Sequence, residues 1–224
     1  MTGDERPAVV FDLDGTLIDT APDIVGAARV LLKSIGAPAL SASLVKSFIG
    51  DGVPKLVERV VTASGLRAGD HGELVAKYLT IYSAALASES RVYPNVVATL
   101  DALRAAGFVL GVCTNKTEAP SRLILAAYGL DGFFDVIVGG DSLASKKPDP
   151  EMLHHVFDAL SGRRALYVGD SEVDSETAVR AGVRFALFSE GYRKSKITDL
   201  PHDFVFNDFP DLPGIVRQAG EVIA

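Results

Sequence analysis

The chain has 224 residues, 48% of them hydrophobic and 23% charged, with 21 Gly and 11 Pro. That is enough for one domain, or for a core domain carrying a smaller inserted one, and it excludes a disordered chain or a collagen-like repeat. Acidic residues outnumber Lys plus Arg by 29 to 22, for a formal charge of -7, and no basic stripe tracks a polyanion, so no nucleic-acid partner is expected.

Residues 1–7 lack the basic-then-apolar pattern of a signal peptide and no apolar run approaches a membrane span; a cytoplasmic protein with no membrane partner is expected. The first apolar run, 8–11, predicts a buried strand, and it leads into Phe11-Asp12-Leu13-Asp14-Gly15-Thr16. Strand alternation turns Asp12 and Asp14 to the same side, where like charges repel unless a cation or a proton intervenes. Taken alone, Asp-x-Asp before a glycine could equally close a turn.

Roughly 70 residues then separate this strand from Pro94, where a crossover helix needs only about a dozen. Apolar residues at helical spacing fill the interval: Ile24, Ala28 and Leu31, then Leu44, Val45 and Phe48, then Leu56, Val57 and Val60, then Leu74, Tyr78 and Ile81. The pattern predicts a small helical cap over 19–91, inserted into a core made of 1–18 and 92–224. Pro94 is expected at the start of the helix that resumes the core.

Beyond Pro94, apolar runs at 108–113, 136–138, 165–168 and 185–188 predict four more buried strands separated by helical segments. Together these make a doubly wound parallel α/β sheet of the Rossmann-like kind. Cys113, the one cysteine, lies inside the second run and reads as a buried reduced thiol. After it, Thr114-Asn115-Lys116 offers a hydroxyl and backbone amides that could hold phosphate oxygens, or could be an ordinary loop. Lys147, in Lys146-Lys147-Pro148-Asp149-Pro150, could aim an ammonium at the same end of the sheet or be solvated. Gly169-Asp170-Ser171-Glu172-Val173-Asp174 places a second acidic cluster at a strand end. Hard oxygen ligands with few histidines nearby suit Mg2+, while a helix cap at Asp170 followed by a solvated first turn is the bland alternative.

The order and spacing of Asp12-x-Asp14-Gly15-Thr16, Thr114-Asn115, Lys147-Pro148 and Gly169-Asp170-x-x-x-Asp174 resemble the haloacid dehalogenase superfamily of phosphatases over nearly the whole chain. The insertion falls where that family places its helical C1 cap. Asp19-Thr20-Ala21-Pro22-Asp23, Gly50-Asp51-Gly52, Tyr93-Pro94-Asn95-Val96 and Thr114-Asn115-Lys116 look most like its phosphoglycolate phosphatases. The resemblance implies hydrolysis of phosphoglycolate or a similar small phosphate monoester through a phospho-aspartate. Asp12 would be the nucleophile and Asp14 the general acid and base. Thr114, Asn115 and Lys147 would hold phosphate. Mg2+ would rest on Asp12, the Asp14 carbonyl and Asp170, with Asp174 supporting from behind. An acid at position 14 favours phosphoryl transfer over carbon–halogen cleavage. Val173 departs from the family, which often has Asn there, and puts the hydrogen bonds around Asp174 in question.

Substrate choice is expected in the cap, at Gly50, Asp51 and Gly52, with Lys46, Lys55, Arg59 or the core residue Lys116 meeting a substrate carboxylate. Phe48 reads as cap core. Competing readings are a phosphosugar phosphatase or β-phosphoglucomutase-like phosphotransferase, and a non-catalytic signalling protein phosphorylated on aspartate. Oligomeric state is not legible in the sequence.

Overall fold

The structure, a computed structural model, describes residues 6–66 and 70–221. The leader-free reading of residues 1–5 lies outside that range, as do 67–69 of the expected cap and 222–224 of the expected core. Strand β1 (Pro7–Phe11) is followed by a two-residue strand β2 (Ile18–Asp19), then by α1 (Ala21–Ser34), α2 (Ala42–Lys46), α3 (Val53–Ala63) and α4 (His71–Ala84). Strand β3 (Arg91–Val92) returns the chain to α5 (Val96–Ala105), β4 (Val109–Cys113), α6 (Glu118–Ala127) and β5 (Val136–Val138). The remainder is α7 (Glu151–Leu160), β6 (Arg163–Gly169), α8 (Glu172–Ala181), β7 (Phe185–Phe188), β8 (Phe204–Phe206) and α9 (Leu212–Glu221).

Six strands form one parallel sheet in the order β5-β4-β1-β6-β7-β8. Alternation along β1 sends Val9 and Phe11 to one face, against Leu100 and Leu103 of α5 and Val216 of α9. Ala8 and Val10 go to the other, against Val156 and Phe157 of α7 and Ala178 of α8. With both faces covered, the strands are apolar throughout, which is why five of them stand out in the sequence. The sixth, β8, has only three residues, with Val205 exposed, and pairs along one edge only, with β7.

The chain leaves β1 toward β4 and β5, then crosses back to β6 on the other side. This reversal opens a crevice at the C-terminal end of β1, the position where open α/β sheets bind ligands.

Helices α1 to α4 bury a separate apolar cluster that includes Leu31, Val57, Val60 and Tyr78; Phe48 packs against it. Their connections to the sheet are zipped together. Ile18 pairs with Val92 and Asp19 with Arg91 in an antiparallel ribbon. The buried Asp23 accepts hydrogen bonds from Glu89 N at 2.8 Å and from Ser90 Oγ at 2.5 Å. The two linkers are therefore fastened side by side as one strap. Pro94 does not start α5: the chain is still leaving the ribbon, with Tyr93 N donating to Leu17 O, and Asn95 precedes the helix at φ +64°. No helix among the described residues is long and apolar enough to cross a membrane.

Candidate active site

The loop after β1 is tight because Gly15 N donates to Ile18 O at 2.8 Å and Leu17 N to Leu13 O at 3.0 Å. Leu13 enters the apolar core while Asp12 and Asp14 line a cleft on the opposite side, as alternation requires. Gly15 has φ +89°, and a Cβ there would sit 2.6 Å from Asp170 Oδ2. Turn geometry and proximity to the carboxylate therefore both demand glycine.

Four strand ends converge on the cleft. From the loop beyond β5, Lys147 places its Nζ 2.9 Å from Asp12 Oδ1, 2.7 Å from Asp174 Oδ1 and 2.9 Å from the Tyr167 hydroxyl. Burial alone would lower the affinity of Lys147 for its proton, but the charges of Asp12 and Asp174 outweigh it and raise the pKa. The bland reading of a solvated lysine fails.

Asp174 is fully buried yet fully served. Its Oδ1 accepts from Lys147 and Tyr167, and its Oδ2 from Asp170 N, Ser171 N and Ser171 Oγ. Burial pushes its pKa up, but Lys147 and these hydrogen bonds hold it below the usual carboxylate range. None of the donors comes from position 173, so valine there leaves the network intact. Ser171, not Asp170, caps α8.

Asp12 and Asp170 are served differently. The contact of Asp12 Oδ1 with Lys147 is a charge pair without hydrogen-bond alignment, so this buried oxygen has no aligned donor among the described residues. Burial raises the Asp12 pKa to about 7, against the pull of Lys147 and with the help of Asp174. Asp170 accepts one bond at each oxygen, from Thr16 Oγ1 at 2.8 Å and Tyr192 N at 2.5 Å. Burial, then the charges of Asp174 and Asp12, push its pKa up as well. The carboxylates of Asp12, Asp170 and Asp174 offer oxygens within 4.8 Å of one another. Asp174 has no spare lone pair, whereas Asp12 and Asp170 keep theirs; Asp12 shares the one charge of Lys147 with Asp174, and Asp170 pairs with no cation among the described residues. That is the donor set a hard divalent cation fits.

Thr114 follows β4 and lines the cleft. The side chain of Asn115 is committed elsewhere: Nδ2 donates to Gly50 O and Lys147 O, and Oδ1 accepts from Lys147 N, each at 3.0 Å. It fastens the Lys147 loop and the α2–α3 loop to the sheet, which leaves only its backbone for phosphate. Lys116 Nζ reaches Asp14 Oδ1 and Oδ2 at 3.2 and 3.3 Å and the Tyr82 hydroxyl of α4 at 2.6 Å. Burial would loosen its proton, but the charge of Asp14 outweighs this and raises the pKa.

The other expected contributors from the helical insertion divide. Gly50 and Gly52 line the cleft, but Asp51 does not. Asp51 Oδ2 instead takes Arg59 at 2.5 Å, which removes both as free charges. Lys55 pairs with Glu58 on the exposed side of α3. Lys46 sits over the Tyr192 ring, 4.7 Å from its centroid. Of the four cations expected to meet a substrate carboxylate, only Lys116 lines the cleft.

The sequence profile of the haloacid dehalogenase-like hydrolases matches residues 9–188 of this chain. The chain belongs to that family. Similar proteins named phosphoglycolate phosphatase include one from Cereibacter sphaeroides, 45% identical over 214 residues that cover 95% of this chain and 98% of that one. Another, from Rhodobacter capsulatus, is 40% identical over 217 residues, covering 94% and 97%. A crystal structure described as a predicted phosphoglycolate phosphatase from Haemophilus somnus superposes with a TM-score of 0.88 at 32% identity, covering 96% of this chain and 99% of that one.

Several residues of this haloacid dehalogenase-like hydrolase escaped sequence reasoning. Tyr192 lies past the matched residues, in the loop after β7. Its amide holds Asp170, while its hydroxyl donates to Asp19 Oδ1 at 2.6 Å and accepts from Ala21 N at 2.9 Å. One residue, through its backbone amide and its hydroxyl, thus ties an acidic site residue to the strap. The available signal was Gly191-Tyr192 directly after a buried strand. Gly191 lies so close to Asp170 that a Cβ would sit 2.3 Å from both its Cβ and Oδ2. Gly191→Ala should therefore displace Asp170, costing about 1–3 kcal/mol of stability and weakening the affinity of this carboxylate cluster for a divalent cation. Denaturant unfolding and a Mg2+ titration check it; unchanged values for both would refute the close approach.

Proposed function

We propose that this haloacid dehalogenase-like hydrolase is a magnesium-dependent phosphatase that converts phosphoglycolate to glycolate and phosphate through an aspartyl phosphate on Asp12. The observation that carries the reading is Asp12 itself: buried, facing the cleft, with an oxygen lacking an aligned donor, and followed two residues later by Asp14. Relatives named phosphoglycolate phosphatase at 45% and 40% identity supply the substrate.

In this reading an Asp12 oxygen attacks phosphorus in line with the ester oxygen, and the phosphorus–ester bond breaks. Asp14, held by Thr20 Oγ1 at 2.8 Å and by Lys116, gives its proton to the leaving alkoxide. As a carboxylate it then takes a proton from the water that attacks the aspartyl phosphate, which frees Asp12 and phosphate. Lys147, Thr114 and the Asn115 amide neutralise phosphoryl oxygens as charge develops. Mg2+ would rest on Asp12, the Asp14 carbonyl and Asp170, where it supplies the positive charge that lets a dianionic ester approach this acidic cluster. Asp174 orients Lys147 and the Asp170 backbone.

We assign residues 19–91 the role of cap and 1–18 with 92–224 that of catalytic core. The strap of β2 and β3 lets the cap open and close as a body. A small soluble ester is the partner, and a cytoplasmic setting suits the free thiol of Cys113. A phosphosugar fits less well. Ile24, Ile49, Val53, Leu56 and Leu79 line the insertion's side of the cleft, and such a wall leaves sugar hydroxyls without partners.

The test is phosphate release from a panel of monoesters with and without chelator. Phosphoglycolate should be the preferred ester, and chelation should abolish its turnover. Preference for a sugar phosphate would discard the substrate while keeping the mechanism, and undiminished release in chelator would remove the metal from it.

A further inference from the structure

We infer that Lys116 and Tyr82 form a receptor for a carboxylate on the carbon next to the ester oxygen, so that the enzyme selects α-carboxylate phosphate esters over equally small neutral ones. This deepens, and rests on, the phosphatase reading above.

Three observations carry it. Among the described residues Lys116 is the cationic side chain lining the cleft, with its side chain only 5% exposed. Its nitrogen lies 3.2 Å from Asp14, the group that meets the leaving oxygen in the proposed reaction. A carboxylate attached to the adjacent carbon falls on the order of 3 Å from that oxygen, within reach of this ammonium. Finally, Tyr82 accepts from Lys116, but its own hydroxyl proton has no acceptor among the described residues. Tyr82 is buried and lines the same cleft. A buried donor without an acceptor is costly unless a ligand supplies one.

A carboxylate oxygen would take the free Tyr82 proton and a hydrogen of Lys116. Because Tyr82 belongs to α4 and Lys116 to the loop after β4, the same contact would bind insertion to sheet across the substrate. It would also compete with Asp14 for the ammonium and so loosen the clamp on the general acid. A methyl group in that place can do neither.

Phosphoglycolate and ethyl phosphate, which differ in replacing carboxylate by methyl, are the probes. The wild type should favour phosphoglycolate by about 100-fold or more in kcat/KM. Lys116→Gln should bring the two substrates near parity, and Tyr82→Phe, which keeps the ring and its packing, should cut the preference about 10-fold. If both variants lower the two substrates by the same factor, Lys116 serves Asp14 alone and the receptor is refuted. Wild-type parity between the two esters would refute it too, while leaving the phosphatase reading standing. Failure to release phosphate from any ester would defeat the phosphatase reading and the receptor with it.

Discussion

Replacing Asp12 by asparagine is expected to lower phosphate release by at least about 10^4-fold while leaving the fold intact. The amide matches the carboxylate in shape but cannot form the acyl phosphate. Its effect on stability runs the other way. Asp12 is a buried acid with an oxygen short of an aligned donor, and its pKa is raised to about 7. A carboxyl raised in the folded state contributes stability that is complete below its unfolded pKa, near 4, and is lost as pH rises through 7. Metal-free wild type should therefore lose more stability between pH 5 and pH 8 than Asp12→Asn, in which Asp170 is the raised carboxyl that still titrates. Melting curves in chelator at the two values, beside turnover with Mg2+, separate the roles. Turnover surviving in Asp12→Asn would overturn the nucleophile.

Lys147→Met should damage both activity and stability. The lysine is the ammonium that faces both Asp12 and Asp174. Removing it strands two buried carboxylates, an error that costs about 3–5 kcal/mol. It also deletes a countercharge for the phosphoryl oxygens, for which a loss of about 10^2 to 10^3 in kcat is expected. Lys147→Arg should rescue neither, because the guanidinium is broader and the lysine site is 2% exposed. Urea unfolding with steady-state kinetics checks the pair of effects. Wild-type stability in Lys147→Met would mean that the carboxylates are not held by this charge.

The site was legible where chemistry depends on neighbours along the chain. Asp12 and Asp14 share a side because a strand alternates, and Leu13 between them is buried for the same reason. The capping box of Ser171 and Asp174 is just as local, yet the residue types alone pointed to Asp170 as the cap. The five strands read from the sequence announced themselves because parallel strands covered on both faces are apolar throughout, and the helical spacing of Leu31, Val57 and Val60 marked the helices between β2 and β3. By contrast, β8 is as short as β5 but leaves Val205 exposed, and it exists through its pairing with β7. Pro94 suggested a helix start, but the ribbon between Leu17 and Tyr93 delayed it to Val96.

Sequence by itself therefore determined five of the six strands, the helices between β2 and β3 and the carboxylates at two strand ends, because each follows from periodicity or from residues within a turn of one another. Tertiary structure alone decided which charges are available. Arg59 and Asp51 cancel, and Asn115 is spent on Gly50 and the Lys147 loop. Lys147 came to Asp12 across 135 residues and Tyr192 to Asp19 across 173. A charged side chain binds whichever partner packing brings within about 3 Å, and that choice is made by how helices and sheet meet, not by spacing along the chain.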